Sequence, residues 1–147
     1  MDKPLVIDTG VLVDIFLETR PRHTEAKKIG KYVAENRIRV KLPMHRMFEL
    51  TCAIRNEGMS SPIKIQRTIT EDAPLHFEAI NIDEGFFSKY FDPDIPYLKA
   101  GDLIFVSLAK GDGANLITED NNQYKVAKAA GVKVYRIKEF IDEFMSF

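Results

Sequence analysis

The sequence lacks the features of disulfide-bonded and membrane proteins. It contains one cysteine, Cys52, among 147 residues, so an internal disulfide is impossible. Its longest apolar runs, such as "LIFVSLA", fall far short of the roughly 20 residues that a transmembrane helix needs. The N-terminus does not have the layout of a signal peptide. We therefore expect a soluble protein of the cytoplasm, where thiols stay reduced.

An excess of charge of one sign is also missing. The chain has 21 Lys and Arg residues against 22 Asp and Glu residues, with a formal net charge of −1. Such a chain can bind nucleic acid only through local basic patches. The apolar fraction of 45% beside 29% charged residues is typical of a folded globular protein. The length predicts a single domain over residues 1–147.

Several common catalytic motifs are absent. The three histidines, His23, His45 and His76, do not have the spacing of a zinc-binding pair. The glycine-containing stretch "GDGAN" lacks the lysine and serine of a phosphate-binding loop. A metal site in this chain would therefore use carboxylate oxygens instead of imidazole or thiolate groups.

Hydrophobic periodicity predicts strands that alternate with helices. Short apolar runs predict strands at 4–7, 37–42, 75–82, 114–118 and 132–137. Amphipathic or apolar stretches predict helices at 10–18, 22–36, 43–58, 61–72, 84–91, 99–111, 122–131 and 138–147. This alternation predicts an α/β fold, a three-layer α/β/α arrangement with a central parallel sheet. The order of the strands remains open.

Acidic residues follow the strands or lie near the starts of the helices. Asp8 follows the first strand, and Asp120 comes shortly after the strand 114–118. Parallel strands end at one edge of the sheet, where α/β proteins bind ligands, and the returning helices start there. Asp102 and Glu49 are expected at this edge, with the side chain of Glu49 drawn inward by the apolar run "MFELTCAI". Asp83 also follows a strand and meets the same criterion.

Convergence of these acids would require a cation. Two carboxylates 4 Å apart repel by about 4 kcal/mol at an effective dielectric constant of 20. Oxygen ligands without Cys or His favour Mg²⁺ or Mn²⁺. Such an ion can activate water for attack on a phosphate ester.

Helix capping is the competing interpretation for three of the acids. Asp8, Asp102 and Asp120 each stand near a predicted helix start, where Asp is a favoured N-cap worth about 1 kcal/mol. Considered singly, each acid is better explained as a cap. Glu49 lies within a helix and gains nothing as a cap, so its alternative is a solvated surface position.

Three stretches of the sequence together resemble the PIN domain, the fold of VapC-type toxins and related RNA-processing nucleases. They are "PLVIDTGVLVDIF", "MHRMFELTCAI" and the region that starts with "YLKAGDL", within residues 4–16, 44–55 and 97–136. The resemblance implies that four acids are catalytic metal ligands, namely Asp8, Glu49, Asp102 and Asp120. It also implies supporting roles for Thr9 and Thr118. Many relatives carry a further acid where this chain has Asn122, which would ligate weakly or orient water, and Asp83 has no counterpart.

The resemblance implies an Mg²⁺- or Mn²⁺-dependent endoribonuclease that cleaves RNA phosphodiester bonds, as the toxin of a type II toxin–antitoxin pair. The implied partners are RNA, an antitoxin protein and a second copy of the chain in a homodimer. Basic residues near the predicted edge, in the stretch "TRPRH" (19–23) and at His45, Arg46 and Lys99, are candidates for phosphate contacts.

Three alternatives remain open. The chain could be an RNA-processing or quality-control nuclease of the same fold, or a non-catalytic module that binds RNA or protein and keeps its acids as caps. A phosphatase with Asp8 as nucleophile is disfavoured, because residue 10 is glycine instead of a second aspartate.

Overall fold

The apolar runs form the centre of the molecule. The structure is a computed structural model that describes residues 3–58, 61–72 and 75–145, and within these ranges five strands form one all-parallel sheet in the order β3-β2-β1-β4-β5. The strands are β1 Leu5–Ile7, β2 Arg39–Pro43, β3 His76–Ile80, β4 Asn115–Ile117 and β5 Val134–Tyr135. The predicted parallel α/β class is confirmed.

Eight α-helices occur within the described ranges. They are α1 Thr9–Phe16, α2 His23–Glu35, α3 Met44–Asn56, α4 Pro62–Arg67, α5 Glu84–Tyr90, α6 Ala100–Asp112, α7 Asn121–Ala129 and α8 Ile137–Phe144. The helix predicted over 61–72 is α4 followed by a π-helical turn, Thr68–Asp72. The last two residues of the helix predicted over 138–147 lie outside the described residues. Each described helix is too short or too polar to cross a lipid bilayer.

Two hydrophobic clusters cover the two faces of the sheet. Side chains alternate along a strand, so Leu5 and Ile7 of β1 face one side and Val6 faces the other. Leu5 and Ile7 join a cluster with buried residues of α1, α2, α3 and α8. Val6 joins a second cluster with residues of α5, α6 and α7. The predicted three-layer α/β/α arrangement is therefore confirmed, and burial on both faces explains the uninterrupted apolar run of β1.

The strand order creates a switch point beside β1. The chain proceeds from β1 to β2 on one side and later returns to place β4 on the other side. The backbone N–H of Asp8 donates a hydrogen bond of 3.0 Å to the carbonyl of Ile117, which ties the ends of β1 and β4 together. Open parallel sheets bind ligands in the crevice at such a point. Asp8 and Asp120 follow the two strands that flank it.

Candidate active site at the carboxyl edge of the sheet

Asp8 stands at the junction of β1 and α1. It occupies the N-cap position of α1, but its side chain makes no capping hydrogen bond, so capping does not account for this aspartate. Burial, followed by the charges of Asp102 and Asp120, raises the pKa of the Asp8 carboxyl from 3.8 to about 6. The backbone amide of Thr9 and the charge of Arg46 act in the opposite direction. Asp8 is therefore a buried carboxyl beside two other acids, and Arg46 offsets their effect only in part.

Asp102 is the third residue of α6. The competing interpretation of Asp102 as a helix cap is wrong, because α6 begins at Ala100 and Lys99 occupies the N-cap position. Burial and then the charge of Asp120 raise the pKa of Asp102, and Glu49 adds to this effect. The charge of Asp102 in turn raises the pKa of Asp8, as expected for neighbouring carboxylates without a sufficient counter-charge.

Asp120 is the N-cap of α7, and here the capping interpretation is confirmed. Its Oδ1 accepts a hydrogen bond of 2.8 Å from the backbone N–H of Gln123. The Thr118 hydroxyl oxygen accepts a hydrogen bond of 3.1 Å from the backbone N–H of Asp120. Capping does not exclude a second role, because the charge of Asp120 also raises the pKa of both Asp8 and Asp102.

Gln123 is a residue of this site that the sequence analysis did not identify. Its side chain is fully buried, and its Nε2 donates a hydrogen bond of 3.1 Å to the carbonyl of Asp102. It therefore joins the start of α7 to the start of α6. The spacing of Asp120 and Gln123 matches the Asx/Ser/Thr–x–x–Glu/Gln pattern of a capping box, which was a usable sequence indication of this position.

Glu49 differs from the three aspartates. The expectation that its side chain turns inward is wrong, because it is 50% exposed while the next residue, Leu50, is buried. Glu49 contacts the guanidinium of Arg46, three residues earlier on α3. Its charge reaches Asp102 and contributes to the raised pKa of that residue. The structure thus brings Glu49 to the same edge, on its solvent side.

The three predicted supporting residues have different surroundings. Thr9 has a buried hydroxyl without a hydrogen-bond partner among the described residues. Thr118 is fully buried and holds the Asp120 amide. Asn122 is exposed at the start of α7 and lines a cleft together with Asp102 and Asp120.

This cleft combines acidic, basic and aromatic side chains. It has a volume of about 390 Å³ and is lined by Tyr97, Leu98, Lys99, Asp102, Asp120, Asn122, Lys125 and Val126. Tyr97 is 91% exposed, so its ring is available to a ligand. Two lysines supply positive charge to this cleft. In the sequence, Lys99 precedes Asp102 and Lys125 follows Asp120. A ligand in this cleft would meet carboxylates, two ammonium groups and one aromatic face.

The basic residues of the stretch 19–23 contact Asp14 of the same chain. Asp14 of α1 is 1% exposed, and its Oδ1 lies 2.9 Å from Nε of Arg20. Its Oδ2 lies 3.8 Å from Nη1 of Arg22, and its carbonyl is 2.9 Å from Nδ1 of His23. The two arginines balance the charge of a buried aspartate, which explains their presence without an RNA contact.

The donor chemistry of the site fits a divalent cation. Asp8, Asp102 and Asp120 provide oxygen ligands, and the raised pKa values of Asp8 and Asp102 indicate negative charge that a cation would relieve. In the arrangement of the described residues, no three His, Cys, Asp or Glu side chains form a ready ligand set. Binding would therefore require the side chains to move closer together around the ion.

Comparisons with known proteins agree with this architecture. One structural neighbour is the crystal structure of VapBC2 from Rickettsia felis bound to a DNA fragment from their promoter, with 12% identity and a TM-score of 0.63 over 90% of this chain and 97% of that chain. Another is a domain of a functionally unknown protein from Methanocaldococcus jannaschii, with 21% identity and a TM-score of 0.53 over 92% and 91% of the two chains. At these identities the likeness concerns the fold.

Curated proteins provide no significant match to this sequence. The family model of the PIN domain, however, matches residues 5–129. This range includes strands β1 to β4 and all of the predicted site residues. The resemblance found in the sequence is thereby confirmed. This chain belongs to the PIN domain family.

Proposed function

We propose that this protein is an Mg²⁺- or Mn²⁺-dependent endoribonuclease that hydrolyses RNA phosphodiester bonds. Membership of the PIN domain family supports a nuclease. The observation that carries the proposal is the proximity of three aspartates at the switch point of the sheet, where the charges of Asp102 and Asp120 raise the pKa of Asp8 and the charge of Asp120 raises that of Asp102. Carboxylates in this state are suited to bind a divalent cation.

The four acids would share the work of holding the cation. Asp8, Asp102 and Asp120 would provide ligands from inside the edge, and Glu49 would approach from its solvent side. When bound, the ion would supply activation of water and neutralisation of charge at the phosphate. Thr118 fixes the backbone of Asp120 through a hydrogen bond, which limits the movement of this ligand.

Residues of the cleft would bind the RNA. Lys99 and Lys125 are suited to contact phosphates beside the acids, because both line the same cleft. The exposed ring of Tyr97 offers a stacking surface for an unpaired base. Asn122 lies at the same surface and would orient water or a phosphate oxygen. This combination favours single-stranded RNA or the loops of structured RNA.

The biological role that we propose is the toxin of a type II toxin–antitoxin pair in the cytoplasm. The likeness to VapBC2 supports an antitoxin partner. Two apolar side chains of α3, Met44 and Phe48, are 44% and 74% exposed, and they offer a contact surface beside Glu49. Phe87 and Phe91 of the stretch "FFSKYF" are exposed and stacked, with ring centroids 4.8 Å apart, and are candidates for a homodimer contact.

Substitution of Asp8 tests this function directly. We expect Asp8→Asn to lower Mn²⁺-dependent cleavage of short single-stranded and hairpin RNAs by at least about a hundredfold. Loss of a residue that only hydrogen-bonds to a metal ligand already lowers activity or metal affinity by about 10- to 100-fold. Asp83→Asn is the matched control, since Asp83 caps α5 and has no place in the site. Both variants should retain cooperative thermal unfolding.

Two outcomes would contradict the proposal. Cleavage by Asp8→Asn at the wild-type rate, in equally pure preparations, would remove the assigned role of Asp8. Absence of both Mn²⁺ binding heat and a Mn²⁺-induced rise in melting temperature would instead support a non-catalytic binding module.

A further inference from the structure

Arg46 of α3 is a buried cation among the acids of the site. It is 9% exposed, and its guanidinium contacts the carboxylate of Glu49. Its Nη2 lies 4.0 Å from Oδ1 of Asp102, and its charge also lowers the pKa of Asp8 against the opposing effect of burial. The guanidinium carbon lies 5.2 Å from the centre of the Phe105 ring, which holds the group from the side of α6. One positive charge thus faces three of the four proposed ligands.

The backbone of α6 provides the space that Arg46 occupies. If residue 101 had a Cβ atom, its three nearest neighbours would all be guanidinium atoms of Arg46, and the added atom would overlap them. Gly101 directly precedes Asp102 in the first turn of α6. The arginine therefore fits against the helix start that carries a proposed ligand.

The Arg46 side chain is held more by the charges of nearby carboxylates than by hydrogen bonds. Its Nε is buried without a hydrogen-bond partner among the described residues, although the guanidinium has carboxylates on two sides. A buried donor without a partner is unfavourable. The guanidinium is held here mainly by the negative potential of the acids, which is the same potential that would attract a divalent cation.

We propose that Arg46 is an internal counter-ion that occupies the acid site in the metal-free protein and competes with the divalent cation. This inference rests on the proposed function, since it concerns the same acids. The guanidinium lies between Oε2 of Glu49 and Oδ1 of Asp102, so these two oxygens face Arg46, and a cation beside the guanidinium would be repelled. Arg46 must withdraw before these two oxygens act as ligands. The contact is thus autoinhibitory and sets the metal concentration at which the site fills.

Two substitutions remove the guanidinium from the site by different routes. Arg46→Met eliminates the charge and keeps an unbranched apolar side chain against Phe105. Gly101→Ala keeps the arginine but places a methyl group where the guanidinium lies. Arg55→Met is the matched control, because Arg55 is an exposed arginine on the same helix. It lies roughly 13 Å further along the helix axis at 1.5 Å per residue, beyond the screening length of about 8 Å at physiological salt.

Calorimetric titration of the metal-free proteins with Mn²⁺, at fixed pH and ionic strength, measures the competition. We expect Arg46→Met and Gly101→Ala to bind Mn²⁺ at least about fivefold more tightly than the wild type, which is the lower limit given by the bulk-water repulsion of two unit charges about 4 Å apart. Arg55→Met should bind with the wild-type affinity. The tighter binding should be accompanied by a larger Mn²⁺-induced rise in melting temperature. Simple damage to the fold would not increase metal affinity.

The possible results separate this inference from the proposed function. Mn²⁺ binding that is lost in Asp8→Asn but equal in the wild type, Arg46→Met and Gly101→Ala would overturn the competition and retain the metal site. Weaker binding by both variants would likewise overturn it, because Arg46 would then support the cation. If Arg46→Met does not fold, Gly101→Ala decides the question. Absence of Mn²⁺ binding in the wild type and in every variant would overturn the proposed function and this inference together.

Discussion

Helix α6 carries an aspartate in its first turn and another at its last residue, and the two have opposite electrostatic environments. At the end of the helix, Asp112 accepts from Nζ of Lys41 at 2.7 Å and from the Tyr90 hydroxyl at 2.9 and 3.0 Å, with Lys89 at 3.6 Å. Burial acts to raise the pKa of Asp112, but these partners outweigh it and lower the pKa. In the first turn, burial and Asp120 raise the pKa of Asp102.

The helix dipole predicts the reverse of this pattern. An acid is stabilised in the first turn of a helix and destabilised in the last turn, in each case by about 0.3–1 kcal/mol. In α6, burial and Asp120 outweigh the dipole at the first turn, and the hydrogen-bonded partners of Asp112 outweigh it at the last residue. Asp112 is a paired carboxylate with a structural role. Asp102 belongs to a cluster with Asp120 and Asp8 in which burial and the other acids outweigh the positive charge of Arg46.

The largest expected effect is the opposite response of these two aspartates to the same substitution. Asp102→Asn should lower Mn²⁺-dependent RNA cleavage by at least about a hundredfold, because it removes a proposed ligand. Asp112→Asn should leave cleavage near the wild-type rate but reduce stability, because Lys41 would lose the nearer of its two charged partners in a largely buried position. Cleavage assays and urea unfolding of both variants test the comparison. Equal activity losses would show that the two ends of α6 do not differ as proposed.

An intermediate effect is expected in the pH dependence of stability without metal. The pKa of Asp8 rises from 3.8 to about 6 on folding, so the folded protein retains a proton that the unfolded chain releases between these values. Stability should therefore fall as pH rises through this window, by about 3 kcal/mol in total. The lowered pKa of Asp112 has the opposite sign, since its contribution is present above 3.8 and is lost as pH falls through the folded pKa.

Urea unfolding in EDTA, from about pH 3 to about pH 7, separates the two contributions. Asp8→Asn should flatten the decrease between 3.8 and about 6. Asp112→Asn should remove stability on the neutral side and weaken the loss at acidic pH. An unchanged slope in Asp8→Asn would mean that folding does not raise the pKa of Asp8.

The smallest expected effect concerns two capping aspartates, of which one belongs to the acid cluster. Asp83 and Asp120 accept from backbone amides three residues later, at 2.9 and 2.8 Å. Asp83→Ala should cost about 1 kcal/mol of stability as a lost cap. Asp120→Ala should cost less without metal, because the lost cap is partly offset by relief of repulsion with Asp8 and Asp102. Stabilisation by Mn²⁺ should disappear only in Asp120→Ala. An equal Mn²⁺ response of both variants would exclude Asp120 from the site.

Part of the site was predictable from local sequence. Asp8 directly follows a short apolar strand, and Asp120 follows another, so the rule that parallel strands end at one edge placed them together. The outward direction of the Glu49 side chain was not predictable from the run "MFELTCAI". In the structure, Leu50 takes the buried position and Phe48 is exposed, because the tertiary neighbours of α3 decide which of its sides is covered.

Hydrophobic periodicity and the residues at strand ends specify the α/β class, the parallel sheet and the edge that carries Asp8 and Asp120. These properties arise from local spacing along the chain. The strand order, the position of Arg46 against Gly101 and the pairing of Lys41 with Asp112 depend on contacts between distant segments. Electrostatic interaction changes over a few ångströms and with burial. Three-dimensional packing therefore determines which carboxylate on α6 is neutralised and which faces other acids.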